Sequence, residues 1–292
     1  MKKLVLLLFA VLSAACPAVA KVTVGASLPD LASIAAYIGG ARVEVFSIAR
    51  GTADPHSVEV LPTYMVRVSR ADIYLKVGLS LDQWADQIID GARNSKLRAV
   101  DCSKGIPVLE KPTTKVDASM GDVHPEGNPH YWLDPANGVI IAQTIADALT
   151  MVDPDGASLY GANLEQFKNE VSQRTAQWKA SAETLPSHTF VTYHSSWVYF
   201  THAFDFSIAA KIEPVPGIPP TARHLADLVQ IIREGHVTTV IQEPYFSDDG
   251  ANYLARETGV KVLKIAPSCA DTSSSSYLEH FQQIFDALKT VN

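Results

Sequence analysis

The sequence predicts an α/β protein of two lobes, each a parallel sheet with flanking helices, joined by one long rigid helix. Three observations predict it. Short runs rich in β-branched residues alternate with helical patterns in both halves of the chain, the signature of parallel sheets covered by helices. A proline-free helical stretch of about 29 residues, 157–185, lies between the two alternating regions. A polar loop rich in Gly and Pro, 110–130, interrupts the first region before that stretch begins. The chain divides accordingly into a leader (1–20), an N-terminal lobe (21–152), a linking helix (153–186) and a C-terminal lobe (187–292).

In the first lobe, Val22, Val24 and Ala26 alternate as a strand, and a helix follows from an N-cap region at Ser27–Asp30 to Gly39-Gly40. "VEVFSIA" reads as the second strand and "TYMVRVSRA" as a short amphipathic helix. "DIYLKVG" is the third strand, "DQWADQIIDGAR" a helix and "LRAVDCS" the fourth strand. From Pro135 a helix carries Val139, Ile140, Ala142, Ile145, Ala146 and Leu149 on one face. "DPDG" breaks it, and the long segment follows. At ~1.5 Å per residue it reaches roughly 40 Å, enough for a strut between lobes. The second lobe repeats the alternation: strands "HTFVTYH", "SIAAKIE", "VTTVIQEP" and "KVLKIAP", with helices from "SSWVYFTHAF", "TARHLADLVQIIREG", "SDDGANYLARETG" and "SYLEHFQQIFDALKTV". Leu225, Leu228 and Ile232 mark the buried face of the second of these helices.

The first twenty residues read as a secretory signal peptide. A basic "MKK" precedes an apolar run of 12, too short to span a membrane, and a small-x-small cleavage site ends at Ala20. Lipid anchoring at Cys16 is the rival reading, disfavoured by Ser13 and Pro17. The expected location is the periplasm. Formal net charge is −7, and the chain has no basic cluster, which argues against a nucleic-acid partner. Beyond the leader there are two cysteines, Cys102 and Cys269. In an exported chain they form either one disulfide or two buried free thiols.

Ligands of open α/β sheets bind beyond the carboxyl ends of the strands. Three of the nine histidines fall on such joints: His56 in the loop after the second strand, His130 closing the polar loop, and His194 ending "FVTYH". Two follow prolines, Pro55 and Pro129, which restrict the backbone around them. A metal ligand needs that restriction, because an imidazole nitrogen must stand ~2.0–2.1 Å from zinc. Taken singly, each of these histidines also fits a helix cap or a solvated residue. His188, His202, His224, His236 and His280 lie where solvent or lobe contacts suit them. His124, between Asp122 and Glu126, is ambiguous: it gathers metal loosely near the site or belongs to a solvated charge cluster, and the solvated reading is favoured.

The segments "DPHSVEVLPTYMVRVSRADIYLKVGLSLDQW", "GNPHYWLDPANGVIIAQTIADAL", "FVTYHSSWVYFTHAF" and "VIQEPYFSDDGANYLARETGVKVLKIAPS" resemble the solute-binding proteins of zinc and manganese ABC importers. The resemblance runs from about residue 22 to the C-terminus. It implies two metal-binding lobes around a rigid helix, with His56, His130 and His194 as metal ligands and no catalytic residues. It also implies zinc captured in the cleft and delivered to an ABC permease in the inner membrane by a monomeric carrier. A histidine-bearing loop before His130 is a further family feature, here reduced to His124. Many members add an aspartate after the last strand, and the matching position here is Ala266. Asp271, Glu243 or water then remain as the fourth donor. Three imidazoles favour zinc over manganese, which prefers oxygen donors.

Two other functions fit part of the pattern. A three-histidine zinc with an open fourth position also describes a hydrolase, with Glu243 as the available base. No His-Glu-x-x-His or Gly-x-Ser-x-Gly motif supports it. A metal buffer would need a long His/Asp tract, which the chain lacks.

Overall fold

The computed structural model describes residues 21–114, 116, 121 and 123–291; the expected leader with Cys16, and Asp122, lie outside the described residues. The first sheet contains β1 (Val22–Ala26), β2 (Val43–Ser47), β3 (Ile73–Lys76) and β4 (Arg98–Asp101), all parallel, in the order β2-β1-β3-β4. The second contains β5 (Thr189–Thr192), β6 (Ser207–Lys211), β7 (Thr239–Gln242) and β8 (Lys261–Lys264), also parallel, in the order β6-β5-β7-β8. The two lobes thus share one topology. Inner strands such as β3 and β7 are almost wholly buried, whereas the outer β4 and β8 alternate or expose their ends, as position in a helix-covered parallel sheet demands. In each sheet the chain reverses its winding beside the first strand, between β1 and β3 and between β5 and β7. Such switch points open a crevice at the strand ends.

Helices α1 (Pro29–Gly39), α2 (Pro62–Val68) and α3 (Trp84–Ala92) flank the first sheet, and α6 (Val198–Ala203), α7 (Ala222–Glu234) and α8 (Asp249–Thr258) belong to the second lobe. Helix α4 (Pro135–Val152) starts on Pro135, with Asp134 as N-cap accepting the Ala136 amide at 2.8 Å. Its buried face includes Ile141 and Ala148, while Val139 and Ile140 are only half-buried. The single stripe read from the sequence is therefore too narrow, because α4 packs against both α1 and the long helix that follows it. The "SSWVYFTHAF" segment opens as a 3₁₀ turn, Ser195–Trp197, before α6 begins.

Helix α5 (Ala157–Glu183) is one continuous element, and its buried residues Tyr160, Leu164, Phe167, Val171, Trp178 and Ala182 form one stripe. It runs along α4, α1 and the closing helix α9 (Ser276–Thr290). Arg42 holds its start with a two-pronged bond to Asp153 (2.7 and 2.6 Å), and Tyr160 donates to the same carboxylate at 2.5 Å. Near the other end, Trp178 stacks on Phe281 and donates to Gln282 at 3.1 Å. A single apolar core continues from the first lobe through Trp178, Phe200 and Phe285 into the second. A smaller cluster around Val240 and Leu254 serves the second lobe alone. Cys102 and Cys269 are both buried free thiols, so of the two readings above the structure has the second.

The lobes also meet where α1 begins. Asp30 is fully buried and accepts the Cys269 amide at 3.1 Å, while its other oxygen has no partner. Gly51 presses on the same loop: a Cβ there would lie 2.0 Å from the Cys269 carbonyl oxygen. Burial pushes the Asp30 carboxyl up to about 6, against the lowering effect of its hydrogen bonds to Cys269 and Ser268. A carboxyl raised on folding stabilises the fold fully below its unfolded pKa, and that contribution is lost as pH rises through about 6. Asp30→Asn should therefore gain on wild type by up to about 3 kcal/mol more at pH 8 than at pH 3.5, at ~1.4 kcal/mol per pH unit. Urea unfolding at the two pH values measures the difference, and equal differences at both would refute the account.

Candidate metal centre

Two of the three histidines are held by the same local device. In Asp54-Pro55-His56, the Asp54 Oδ1 takes the His56 backbone N–H and faces its ring Nδ1, both at 2.9 Å. In Asn128-Pro129-His130, the Asn128 Oδ1 does the same, at 3.0 Å to the amide and 2.9 Å to Nδ1. Proline between the two residues fixes one backbone angle, so a single side-chain oxygen spans both nitrogens of the histidine two places on. Trp84 Nε1 donates to the Pro55 carbonyl at 2.9 Å and pins the first of these turns. Asn128 is pinned harder: its Nδ2 donates to the Ser195 carbonyl of the second lobe (2.8 Å) and to Glu110 (2.9 Å), and Tyr199 donates to its carbonyl (2.9 Å).

His194 is placed by the second sheet. The parallel register pairs Thr192 with Lys211, and the ladder continues as the Ile212 and Glu213 amides donate to the Thr192 and Tyr193 carbonyls. That brings His194 beside Glu213, whose Oε2 lies 2.6 Å from its Nδ1. Phe246 covers the ring at 5.7 Å between centroids.

With every Nδ1 engaged, each Nε2 is left as the lone-pair donor. The structure brings His56, His130 and His194 together: one ligand nitrogen of each lies within 4.8 Å of the other two. Ring centroids are 5.2 Å (His56–His130), 5.1 Å (His56–His194) and 5.3 Å (His130–His194) apart. A zinc ~2.05 Å from each nitrogen, tetrahedrally arranged, places imidazole centroids about 5.2 Å apart. The centroid spacing therefore matches that of imidazoles around a shared ion. The Nε2 atoms of His56 and His130 are buried without any hydrogen-bond partner. Groups left so are costly unless something binds them.

Burial, reinforced by the neighbouring histidines, lowers the His130 pKa well below the ordinary imidazole value. Burial lowers that of His194 too, and the Glu213 bond only partly offsets this. Both rings are thus neutral and available to a cation. Burial pushes Asp54 up, but its bonds to His56 outweigh that and hold it below the usual carboxylate range. Two acidic side chains, Asp54 and Glu213, stand behind the three imidazoles, an arrangement suited to a divalent ion.

The other sequence candidates lie elsewhere. Asp271 is exposed and accepts the Ser273 amide at 2.8 Å. Glu243 is buried with the Trp197 indole N–H on its Oε1 at 3.1 Å, and burial raises its pKa to about 7. Neither joins the three-histidine group, and Ala266 brings no side-chain donor. His124, read as solvated, is half-buried and stacks on His56 at 5.4 Å. Sequence reasoning missed the orienting residues Asp54, Asn128 and Glu213. The repeated Asp/Asn-Pro-His tripeptide is a signal for the first two, while Glu213 requires the strand order.

Known proteins share this fold. A solved ZnuA deletion mutant with zinc bound superposes with a TM-score of 0.78 at 30% identity, covering 91% of this chain and 98% of that one. The iron-binding protein YfeA of Yersinia pestis is 26% identical over 235 residues, 78% of this chain and 71% of the relative. The manganese ABC transporter substrate-binding lipoprotein PsaA of Streptococcus mitis is 25% identical over 249 residues, 83% and 78% of the two chains. The family model for zinc-uptake complex component A, periplasmic, matches residues 24–291. The chain belongs to that family, the metal-binding solute-binding proteins of ABC importers.

Proposed function

We propose that this protein captures zinc between its lobes through His56, His130 and His194 and hands it to an ABC permease of the inner membrane, as a periplasmic monomer. The observation that carries the reading is the convergence of three imidazoles, two from the first lobe and one from the second, at centroid spacings of 5.1–5.3 Å. The relatives include iron and manganese binders, so the choice of metal rests on the donors of this chain. Three neutral nitrogens suit zinc, whereas manganese prefers a richer oxygen set. Among the described residues no carboxylate stands in the ligand group. Transport also fits the seam between the lobes. Trp132 Nε1 donates to the Pro267 carbonyl at 2.8 Å, and Asn128 reaches Ser195 across the cleft. Such ties favour small lobe shifts over wide hinge opening on release.

Titration calorimetry of the metal-free protein should show one zinc per chain, bound far more tightly than manganese, and alanine at any of the three histidines should abolish tight binding. Stronger binding of manganese than zinc would overturn the choice of metal. Acid should weaken binding, because protonated imidazole cannot coordinate. Since burial lowers His130 and His194, the loss should set in at lower pH than for a free imidazole. Affinity that stays constant with falling pH until the fold itself is lost would exclude imidazole ligation. Asp54→Ala and Glu213→Ala release the Nδ1 atoms of His56 and His194. Each is expected to cost about 10–100-fold in zinc affinity while the fold persists, the scale on which groups that orient a ligand act; circular dichroism and competition with a zinc chelator measure both.

A further inference from the structure

One side chain of the first lobe aims His130, and its own orientation is set from the second lobe. Asn128 is buried and uses both ends of its amide. The Oδ1 accepts the His130 backbone N–H at 3.0 Å and faces the ring Nδ1 at 2.9 Å. The Nδ2 donates to the Ser195 carbonyl at 2.8 Å and to Glu110 Oε2 at 2.9 Å. Those two acceptors decide which way the amide lies, because a flipped amide would set its oxygen against a carbonyl and a carboxylate. With Oδ1 toward the imidazole, Nδ1 carries the proton, and Nε2 keeps the lone pair that a metal needs.

The grip on Asn128 comes from the segment that follows His194. Tyr199 is buried on α6, and its hydroxyl makes two bonds to the first lobe. It donates to the Asn128 carbonyl at 2.9 Å and accepts the Leu109 amide at 3.0 Å. The Asn128 amide in turn donates to the Leu109 carbonyl at 2.9 Å. One phenol oxygen thus ties the start and the end of the polar loop to each other. The segment is anchored on its own sheet: Thr192 Oγ1 donates to the His194 carbonyl at 2.8 Å, and the buried Trp197 donates from Nε1 to Glu243 Oε1 at 3.1 Å. Lys211, the last residue of β6, reaches the other Glu110 oxygen at 3.3 Å. Ser195, Tyr199 and, through Glu110, Lys211 all belong to the second lobe.

We propose that Tyr199 is a positioning residue for the metal centre: it holds Asn128, and through Asn128 it fixes the tautomer and direction of His130. This rests on the three-histidine reading above and adds that a ligand of the first lobe is aimed by the second. His194 begins the same segment, so one hydroxyl and one carbonyl couple the aim of two ligands drawn from different lobes. Removing the hydroxyl strips the Asn128 carbonyl and the Leu109 N–H of their shared partner, and buried groups left so shift to recover one. The Asn128 side chain shifts with them, and the His130 ring loses its fixed partner.

Tyr199→Phe keeps the buried ring and removes only the oxygen. In the metal-free protein, two-bond proton–nitrogen spectra read the tautomer of each imidazole. Wild-type His130 should show one form, protonated at Nδ1. Tyr199→Phe should show a mixture of both forms, and zinc should bind it about 10-fold more weakly. Phe285→Leu is the control for lost stability, since that ring packs on the core aromatics Phe200 and Phe204. It should leave the His130 tautomer and the zinc affinity as in wild type. A single Nδ1-protonated form with wild-type zinc affinity in Tyr199→Phe would overturn the role of Tyr199. So would equal losses of affinity in the two variants with the tautomer unchanged. Because the tautomer is read without metal, that result stands apart from the three-histidine reading, which fails if His130→Ala binds zinc as tightly as wild type.

Discussion

The constraint on which the metal centre depends is occupancy of the inner nitrogen of each imidazole. An imidazole free at both nitrogens has two faces to offer and rotates between them. Here Asp54, Asn128 and Glu213 each occupy an Nδ1, at 2.9, 2.9 and 2.6 Å, so the tautomer and the ring direction are settled before any ion arrives. The cost of ordering is met in folding and not in binding. Two of these partners come from the same backbone turn as their histidine, which makes the arrangement local and robust. The third crosses between neighbouring strands and depends on the second sheet being correctly formed.

That difference explains what was legible in the sequence. The alternation of strands and helices was readable because inner parallel strands are apolar on both faces and their helices amphipathic. The long helix showed itself by length and the absence of proline. His56, His130 and His194 stood out from their place at strand ends and beside prolines. Their orienting partners did not. Asp54 and Asn128 were present in the repeated tripeptide, yet their role lies in a side chain spanning two nitrogens, which spacing alone does not display. Glu213 is 19 residues from His194, and only the register of β5 with β6 brings them together. His124 was ambiguous for a related reason. Its neighbours in sequence are polar, but its neighbours in space are His56 and the walls of the cleft.

The lobes are tied together independently of the metal. Asp30 reaches Cys269, Trp132 reaches Pro267, Asn128 reaches Ser195, and the aromatic residues around Trp178 and Phe285 join α5, α6 and α9 into one core. A cleft built on such a seam cannot gain much of its closing energy from the ion. Specificity then has to reside in the donor set and its aim, because the gap between the lobes has little freedom to adapt to a wrong ion.

A carrier must also let go, and a rigid cleft makes that harder. In the proposed three-histidine site, the features that preorganise the imidazoles also favour retention: engaged inner nitrogens, and two acidic side chains behind them. Lobe opening large enough to break all three bonds at once would have to break the seam as well. Release is easier if coordination is lost one ligand at a time from the side with most freedom. The first lobe offers that side, since His56 is half-buried beside the larger cavity, while His130 and His194 are buried. On the proposed three-histidine reading, departure by way of His56, with the two buried rings held, reconciles capture with lobes tied at their seam.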